Sequence, residues 1–170
     1  MNRIKFSYSQ PYCDRIHYVD EADVKVVLSR LPEETYQRLH AVYFNDQSWG
    51  VRTLGYTSKR GRREISICAL PPRVSLSRFL VPGETAGTFG AKSGRQWPIL
   101  AVRRFLLYDV FLHELGHLQI INPSSSSFRR KFADETKAQE FADFWRKKLW
   151  RERFSHPDPV HNAPSREELA

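Results

Sequence analysis

The chain has few cysteines and lacks any long apolar run. Cys13 and Cys68 are its two cysteines, which are too few for a disulfide framework or a four-thiolate zinc site. No stretch approaches the roughly 18 apolar residues that a membrane span needs. The first ten residues, MNRIKFSYSQ, have no apolar stretch after their basic residues and so do not resemble a signal peptide. We therefore expect a cytoplasmic protein with free thiols and no membrane association.

The composition is typical of a globular domain. Hydrophobic residues make up 41% of the 170 residues and charged residues 27%, which excludes the disordered and membrane classes. The sequence shows no internal repeat. We expect one domain over residues 1–153, followed by a flexible tail over residues 154–170, because the tail is rich in proline and charge.

Basic residues are in excess. Lys and Arg number 27 against 19 Asp and Glu, a formal net charge of +8, which favours an anionic partner such as nucleic acid or an acidic protein segment. The basic clusters lie at 59–63, 103–104, 129–131 and 146–148. Either these clusters form separate solvated faces or the fold gathers them into one binding patch.

The first half of the chain indicates a small sheet. The β-branched run at 24–28 (VKVVL) predicts a strand. Apolar residues at helical spacing over 36–43 then predict a helix. Residues 49–57 and 64–69 flank a polar turn and predict a hairpin. These patterns together indicate a small twisted sheet with a packed helix.

The second half begins with a long irregular segment. Residues 71–98 are rich in proline and glycine and have no sustained period. This segment is either a lid or specificity loop over a cleft, or a disordered connector. Residues 99–121 follow with a helical pattern, residues 122–127 interrupt it, and a second helix is predicted over 128–150.

The first of these helices contains an HExxH motif. His113, Glu114, Leu115, Gly116 and His117 form the sequence HELGH. Residues four apart lie on one helical face, so the two imidazoles can bind one metal ion. Glu114 lies on the neighbouring face, where it can reach a water molecule instead of the metal.

A catalytic zinc site needs a third protein ligand, and the second helix offers Glu135. That helix has an apolar stripe, and Glu135 lies at its edge. Asp134 lies at the other edge, whereas Glu140 points to the opposite face. A carboxylate on a buried face needs a partner, and a metal on the facing helix is a sufficient one. The stripe consists of Ala138, Phe141, Ala142, Trp145 and Leu149.

HELGH and the later sequence ETKAQEFA at 135–142 resemble the gluzincin pattern, in which HExxH is followed by E-x-x-A-D/N-x-F-A on a glutamate helix. The chain is most similar to the minimal minigluzincins and to the ImmA/IrrE-type peptidases. This resemblance implies an α+β fold in which a small twisted sheet with a packed helix precedes the HExxH helix and the glutamate helix. It also implies that the 64–69 strand is the sheet edge that pairs with an extended substrate.

The sequence departs from that pattern at one position. Gln139 stands where the family usually has Asp or Asn, a residue that orients a histidine ligand. Orientation here could come from Gln139 itself, from Asp143 or from Asp109, and Asp109 could equally face solvent. Gly116 is unfavourable inside a helix, which predicts a close approach of backbone or substrate there.

These patterns predict a zinc metalloendopeptidase that hydrolyses a protein or peptide substrate. Zn²⁺ would be held by His113, His117 and Glu135, and Glu114 would activate the water bound to zinc. The donor that stabilises the oxyanion stays open among His156, His161, Tyr108 and the arginines. The alternative is a nucleic-acid- or protein-binding regulatory module that has the metallopeptidase fold and little or no turnover.

Overall fold

The described strands form a four-stranded mixed sheet. The computed structural model describes residues 3–48, 50–58, 63–120, 128–152 and 154–170. The strand order is β1-β2-β4-β3, with β1, β2 and β4 parallel and β3 antiparallel to β4. The strands are β1 (Lys5–Tyr8), β2 (Ala41–Asn45), β3 (Gly55–Thr57) and β4 (Glu64–Cys68).

The helix predicted over 36–43 was wrong, because this region leads into strand β2. A short 3₁₀ turn, Glu33–Thr35, is the only helical element of this region in the described chain, and β2 follows it. Val42 and Phe44 are almost fully buried, because β2 has a partner strand on each side. The run AVYF suits a central strand, and this tertiary environment outweighs its apparent helical spacing.

The strand predicted at 24–28 was also wrong, because these residues lie inside helix α1 (Glu21–Ser29). Asp20 caps the helix by accepting from the Asp23 backbone N–H, and the Asp23 side chain accepts from the Asp20 backbone N–H. This capping box starts a helix despite the β-branched residues that follow. The buried Val24, Val27 and Leu28 have the spacing of one helical face.

The predicted hairpin is confirmed, since β3 and β4 pair antiparallel, although its turn at 59–62 lies outside the described residues. The implied role of 64–69 as the sheet edge was wrong. Strand β4 lies between β2 and β3, so β3 is the edge strand on this side of the described sheet. The apolar residues Ile65 and Ile67 of β4 are buried, as is typical of an interior strand and not of a sheet edge.

The helical half follows the predicted boundaries closely. Short helix α2 (Ala86–Phe89) precedes α3 (Ile99–Phe105), which runs through a π-helical turn, Leu106–Phe111, into α4 (Leu112–Leu118). Helix α5 (Phe128–Arg151) packs along α4, and α6 (Arg166–Leu169) ends the chain. The protein is thus a mixed α/β chain with a small sheet, compatible with the α+β class. No helix in the described residues is long and apolar enough to cross a membrane.

Residues 71–98 are not a disordered connector. Leu76, Phe89 and Trp97 from this segment are buried in the main core. The Trp97 indole N–H donates to Ser77 Oγ at 3.2 Å, which closes the segment on itself. Burial of these large side chains gives the segment a fixed path, although α2 and a 3₁₀ turn, Ser77–Phe79, are the only helical elements described in it.

The C-terminal segment differs from the flexible tail that we expected. Val160 and His161 are almost fully buried. Arg103 forms ion pairs with Asp158 at 2.6 Å and with Asp23 at 2.9 Å, and Arg104 pairs with Glu168 at 3.0 Å. The half-buried Arg103 and the buried Arg104 of α3 therefore hold a segment that its composition suggested would be mobile.

Candidate metal centre

Three potential metal ligands converge between α4 and α5. His113 and His117 lie one turn apart on α4, with their Nε2 atoms 3.2 Å apart. Glu135 on α5 reaches both rings, with Oε2 at 2.9 Å from His113 Nε2 and Oε1 at 3.0 Å from His117 Nε2. The structure thus brings together the three residues that the sequence nominated. Asp134 and Glu140 are not part of this group.

The donor set and its spacing fit zinc. Two imidazole nitrogens and one carboxylate oxygen form a common ligand set for catalytic zinc. In a tetrahedral site with bonds of about 2.05 Å, ligand atoms lie roughly 3.3 Å apart. The observed separations of 2.9 to 3.2 Å are therefore only a few tenths of an ångström short of that arrangement.

The electrostatics of the three groups favour a positive charge between them. Burial lowers the pKa of His113, but its hydrogen bond with Glu135 and the charges of Glu114 and Glu135 outweigh this and raise it to about 9. Hydrogen bonds from His113 and His117 hold the pKa of Glu135 well below its usual value. In the metal-free protein a proton on His113 supplies the positive charge that a metal ion would otherwise bring.

Glu114 lies beside this group and not in it. Burial raises its pKa above the usual value for a glutamate, although the neighbouring His113 and His117 and a hydrogen bond with the Thr57 backbone oppose the change. A carboxylate with a raised pKa, close to a metal site, suits a group that accepts and later releases a proton. The contact with Thr57 could not be predicted from the sequence, because Thr57 lies on the edge strand β3, far from Glu114 along the chain.

A cleft of about 270 Å³ opens at His113 and Glu114. Its lining comes from the residues before β3 together with Gly55, from the 71–98 segment and from the helices α3 to α5 with the π-helical turn. Gly55 permits this arrangement, because a Cβ there would lie 2.7 Å from Val110 Cγ1 and 2.9 Å from Ser66 O. The remaining lining residues are Arg52, Thr53, Leu54, Phe79, Val81, Phe105, Asp109, Val110 and Gln139.

Gln139, which lines the cleft, contacts the first histidine. Its Oε1 lies 2.9 Å from His113 Nδ1, and its Nε2 donates to Asp109 and Asp143, each at 3.0 Å. Asp109 is 5% exposed, so it supports the site and does not face solvent. All three candidates for orienting the histidine therefore belong to one network, with Gln139 in direct contact with the ring.

This network includes two residues that the sequence reasoning missed. Arg146 is 2% exposed and forms ion pairs with Asp109 and Asp143. A signal for it existed, because Arg146 continues the buried stripe of Ala138 and Ala142 at a spacing of four. Glu84, whose carboxyl lies 3.1 Å from the Arg146 guanidinium, comes from the 71–98 segment, where no periodic pattern could have placed it.

The candidates for an oxyanion donor are largely elsewhere. Tyr108 Oη and His161 Nδ1 are 2.8 Å apart in the core, and the His156 ring packs against His161. None of these three lines the cleft. Among the arginines in the described part of the chain, Arg52 is the one that lines it.

Several basic residues counted in the net charge are internal. Arg103, Arg104 and Arg146 are held in ion pairs with carboxylates, so these three do not contribute to an exposed basic face. The cluster at 59–63 lies largely outside the described residues, as do the side chains of Arg129 and Arg130. A single basic patch gathered from these clusters is therefore not seen in the part of the chain that is described.

Gly116→Ala is expected to destabilise the protein. The close approach predicted at this glycine is to the backbone of α5, because a Cβ there would lie 2.8 Å from Ala138 O and 2.9 Å from Ala138 Cα. Alanine normally favours a helix by about 1 kcal/mol over glycine. Here we expect a net loss of about 1–3 kcal/mol, because the helices must separate. Urea denaturation measures the difference.

Gly87→Ala in α2 is the matched control for this substitution. Its Cβ would meet its nearest neighbours at 3.6 and 3.8 Å, which is ordinary van der Waals contact, and we expect no loss of stability. A Gly116→Ala variant as stable as wild type would contradict the assigned contact between α4 and α5.

Comparisons with known proteins add no identification. No protein-family model matches the chain, and neither a curated protein nor a solved structure matches it significantly. The functional interpretation of this site therefore depends on the sequence motifs and on the geometry described above.

Proposed function

We propose that this protein is a zinc-dependent metallopeptidase of the gluzincin type, with a minigluzincin-like arrangement of its helices. The observation that supports this most is the convergence of His113, His117 and Glu135 from two packed helices, with Glu114 beside them at the cleft. HExxH alone arises by chance in unrelated chains. An HExxH motif that also has a third potential ligand beside its histidines, and a carboxylate next to all three, arises by chance far less often.

The cleft also suits an extended peptide. Strand β3 pairs with β4 on one side only within the described sheet, and Gly55 of β3 lines the cleft. An exposed strand edge offers backbone N–H and C=O groups to which a substrate strand can bind. We propose that β3, and not β4, is the strand that receives the substrate.

The roles of the residues follow from their positions. Zinc, when bound, lowers the pKa of water to about 7 and polarises the scissile carbonyl. His113, His117 and Glu135 would hold it, which leaves one position open for water or substrate. Glu114 accepts a proton from the attacking water and passes it to the leaving amine. Arg52, at the cleft wall, is our candidate for stabilising negative charge on the substrate carbonyl oxygen.

Elemental analysis of the purified protein tests the metal assignment. We expect about one zinc per chain in wild type, and loss of that zinc in His113→Ala and in Glu135→Ala, because two protein ligands hold zinc poorly. Glu140→Ala is the matched control: Glu140 is exposed on the same helix as Glu135, and this variant should keep its zinc.

Two results would refute the assignment. One is a wild-type protein that takes up no zinc even when the metal is supplied. The other is a Glu135→Ala variant with full zinc content, which would remove Glu135 from the ligand set.

A further inference from the structure

A buried ionic cluster lies behind the candidate metal centre. The Arg146 guanidinium contacts Asp143 at 2.7 Å, Asp109 at 2.9 Å and Glu84 at 3.1 Å. The three carboxylates are close enough to one another to share a metal ion. The Arg146 guanidinium lies within 3.1 Å of all three, so the cluster is organised around the arginine and not around a second cation.

Two of these carboxylates fix the amide of Gln139. Asp109 Oδ1 and Asp143 Oδ1 each lie 3.0 Å from Gln139 Nε2. An ionised carboxylate accepts hydrogen bonds and cannot donate them, so both require the NH₂ end of the amide. A flipped amide would place its oxygen against two anions. The amide oxygen must therefore face His113.

The fixed amide in turn determines the state of the imidazole. Gln139 Oε1 is an acceptor and lies 2.9 Å from His113 Nδ1, so Nδ1 must carry a proton. His113 Nε2 is then the nitrogen that faces Glu135 and His117, and a metal bound there would replace the second proton that the ring carries in the metal-free protein. The amide thus fixes the orientation of the ring and keeps Nδ1 protonated in both states.

We propose that Arg146 is a positioning residue for His113, acting through Asp109 and Asp143 on the amide of Gln139. Arg146 touches none of the three candidate ligands, but its fork holds both aspartates at once: Nη1 donates to Asp109 and Nη2 to Asp143. The guanidinium also packs over the Phe89 ring, with 5.3 Å to the centroid. We call Arg146, Asp109, Asp143 and Gln139 the relay. Its effect on metal binding rests on the proposed function.

The relay accounts for the orientation of Gln139, which stands where the gluzincin pattern has Asp or Asn. A neutral amide can point either end at the histidine, so it needs an external constraint. The two aspartates supply that constraint, and Arg146 compensates their charge in a site where water does not. Lysine would be a poor substitute, because a single ammonium does not present two rigid, parallel donors.

The test compares Arg146→Lys with Arg104→Lys. Both arginines are 1–2% exposed, and each holds several acceptors. Arg104, however, binds the carbonyls of Phe89, Pro159 and Asn162 and the Glu168 carboxylate, none of which belongs to the relay. We expect Arg146→Lys to weaken zinc binding about tenfold, measured by competition with a chromophoric chelator. Arg104→Lys should lower stability and leave zinc affinity unchanged.

A double-substitution cycle shows whether the effect passes through the amide. Gln139→Met removes the acceptor that faces His113 and should itself weaken zinc binding about tenfold. The double variant Arg146→Lys, Gln139→Met should bind zinc no more weakly than Gln139→Met alone. Additive losses, or equal losses in the Arg146 and Arg104 variants, would mean that Arg146 has only a structural role and would overturn the proposal.

A second readout does not depend on zinc. The relay requires the His113 Nδ1 proton to be bonded to Gln139 and protected from exchange, which ¹H–¹⁵N NMR of the metal-free protein detects. We expect this signal in wild type and in Arg104→Lys, and its loss in Arg146→Lys and Gln139→Met. A signal that persists in both relay variants overturns the proposal. Failure of wild type to bind zinc would instead overturn the proposed function, and this measurement would still decide on the relay.

Discussion

Glu114→Gln is expected to keep zinc and to lose hydrolysis. Glutamine has nearly the size of glutamate and fits beside His113 and His117 without an added atom, but it accepts no proton at neutral pH. General-base catalysis typically contributes about 10²–10⁴-fold to the rate, so we expect kcat/KM to fall by about 10³-fold. The raised pKa of Glu114 is consistent with a group that both takes and returns a proton.

Incubation with a peptide library, followed by mass spectrometry of the products, measures this without knowledge of the natural substrate. Zinc content and the urea unfolding midpoint of Glu114→Gln should match wild type, which separates lost chemistry from a lost site. If the zinc-loaded Glu114→Gln protein cleaves the library as fast as wild type does, the mechanism is disproved. Zinc-loaded wild type that cleaves nothing in the library would favour the regulatory module without turnover.

The pH dependence of stability should change in Glu84→Gln. Burial is the main cause that raises the pKa of Glu84, and its contact with Asp109 adds to this, while Val81 and Arg146 oppose it; the resulting pKa is about 8, against 4.5 for an ordinary glutamate. Between about pH 4.5 and 8 the folded protein therefore holds a proton on Glu84 that the unfolded chain has released. Asp109, Arg146 and, beyond them, Asp143 are the charged groups that face it.

The direction in which stability changes with pH follows from proton linkage. Stabilisation from protonated Glu84 is complete below pH 4.5 and is lost as the pH rises toward 8, with a slope of about 1.4 kcal/mol per pH unit. His161, whose pKa burial lowers to about 4, acts in the opposite direction between pH 4 and 6.5. His113 adds a further loss above pH 6.5 in the metal-free protein. The wild-type profile is thus a sum of several groups.

The difference between Glu84→Gln and wild type isolates the contribution of Glu84. Glutamine keeps the neutral, hydrogen-bonding character of the protonated acid at every pH. We expect the variant to gain stability relative to wild type by on the order of 4 kcal/mol between pH 5 and 8, measured by urea denaturation with a chelator present. Glu33→Gln, at an exposed position, gives the baseline for the same charge change. A difference that is independent of pH would contradict the buried, protonated state of Glu84.

The helical half of the chain could be predicted because its signals are local. The spacing of His113 and His117 puts both rings on one face of α4, whatever the rest of the fold does. The apolar stripe of α5 likewise determined which side of that helix is buried, and so placed Glu135 toward α4. Two helices that each expose one suitable face have few ways to pack, which is why the three candidate ligands were found by pattern alone.

The N-terminal half was predicted poorly because its signals compete. Residues 24–28 are β-branched, which favours a strand, but the Asp20–Asp23 capping box starts a helix one turn earlier. The apolar positions of residues 41–45 are compatible with either the helical or the strand period. Their pairing with β1 and β4 selects the strand, and that selection depends on segments distant in the sequence.

The sequence by itself determined the chemical groups of the candidate site: two imidazoles and a carboxylate that could hold a metal, and a second carboxylate beside them. It did so because helical periodicity converts residue spacing directly into spatial proximity. Only the tertiary structure decided which strand borders the cleft, where the C-terminal segment packs, and how Gln139 is oriented. These features depend on contacts between residues far apart in the chain, such as Arg146 with Glu84 and Gly55 with Val110, and no local pattern encodes such contacts.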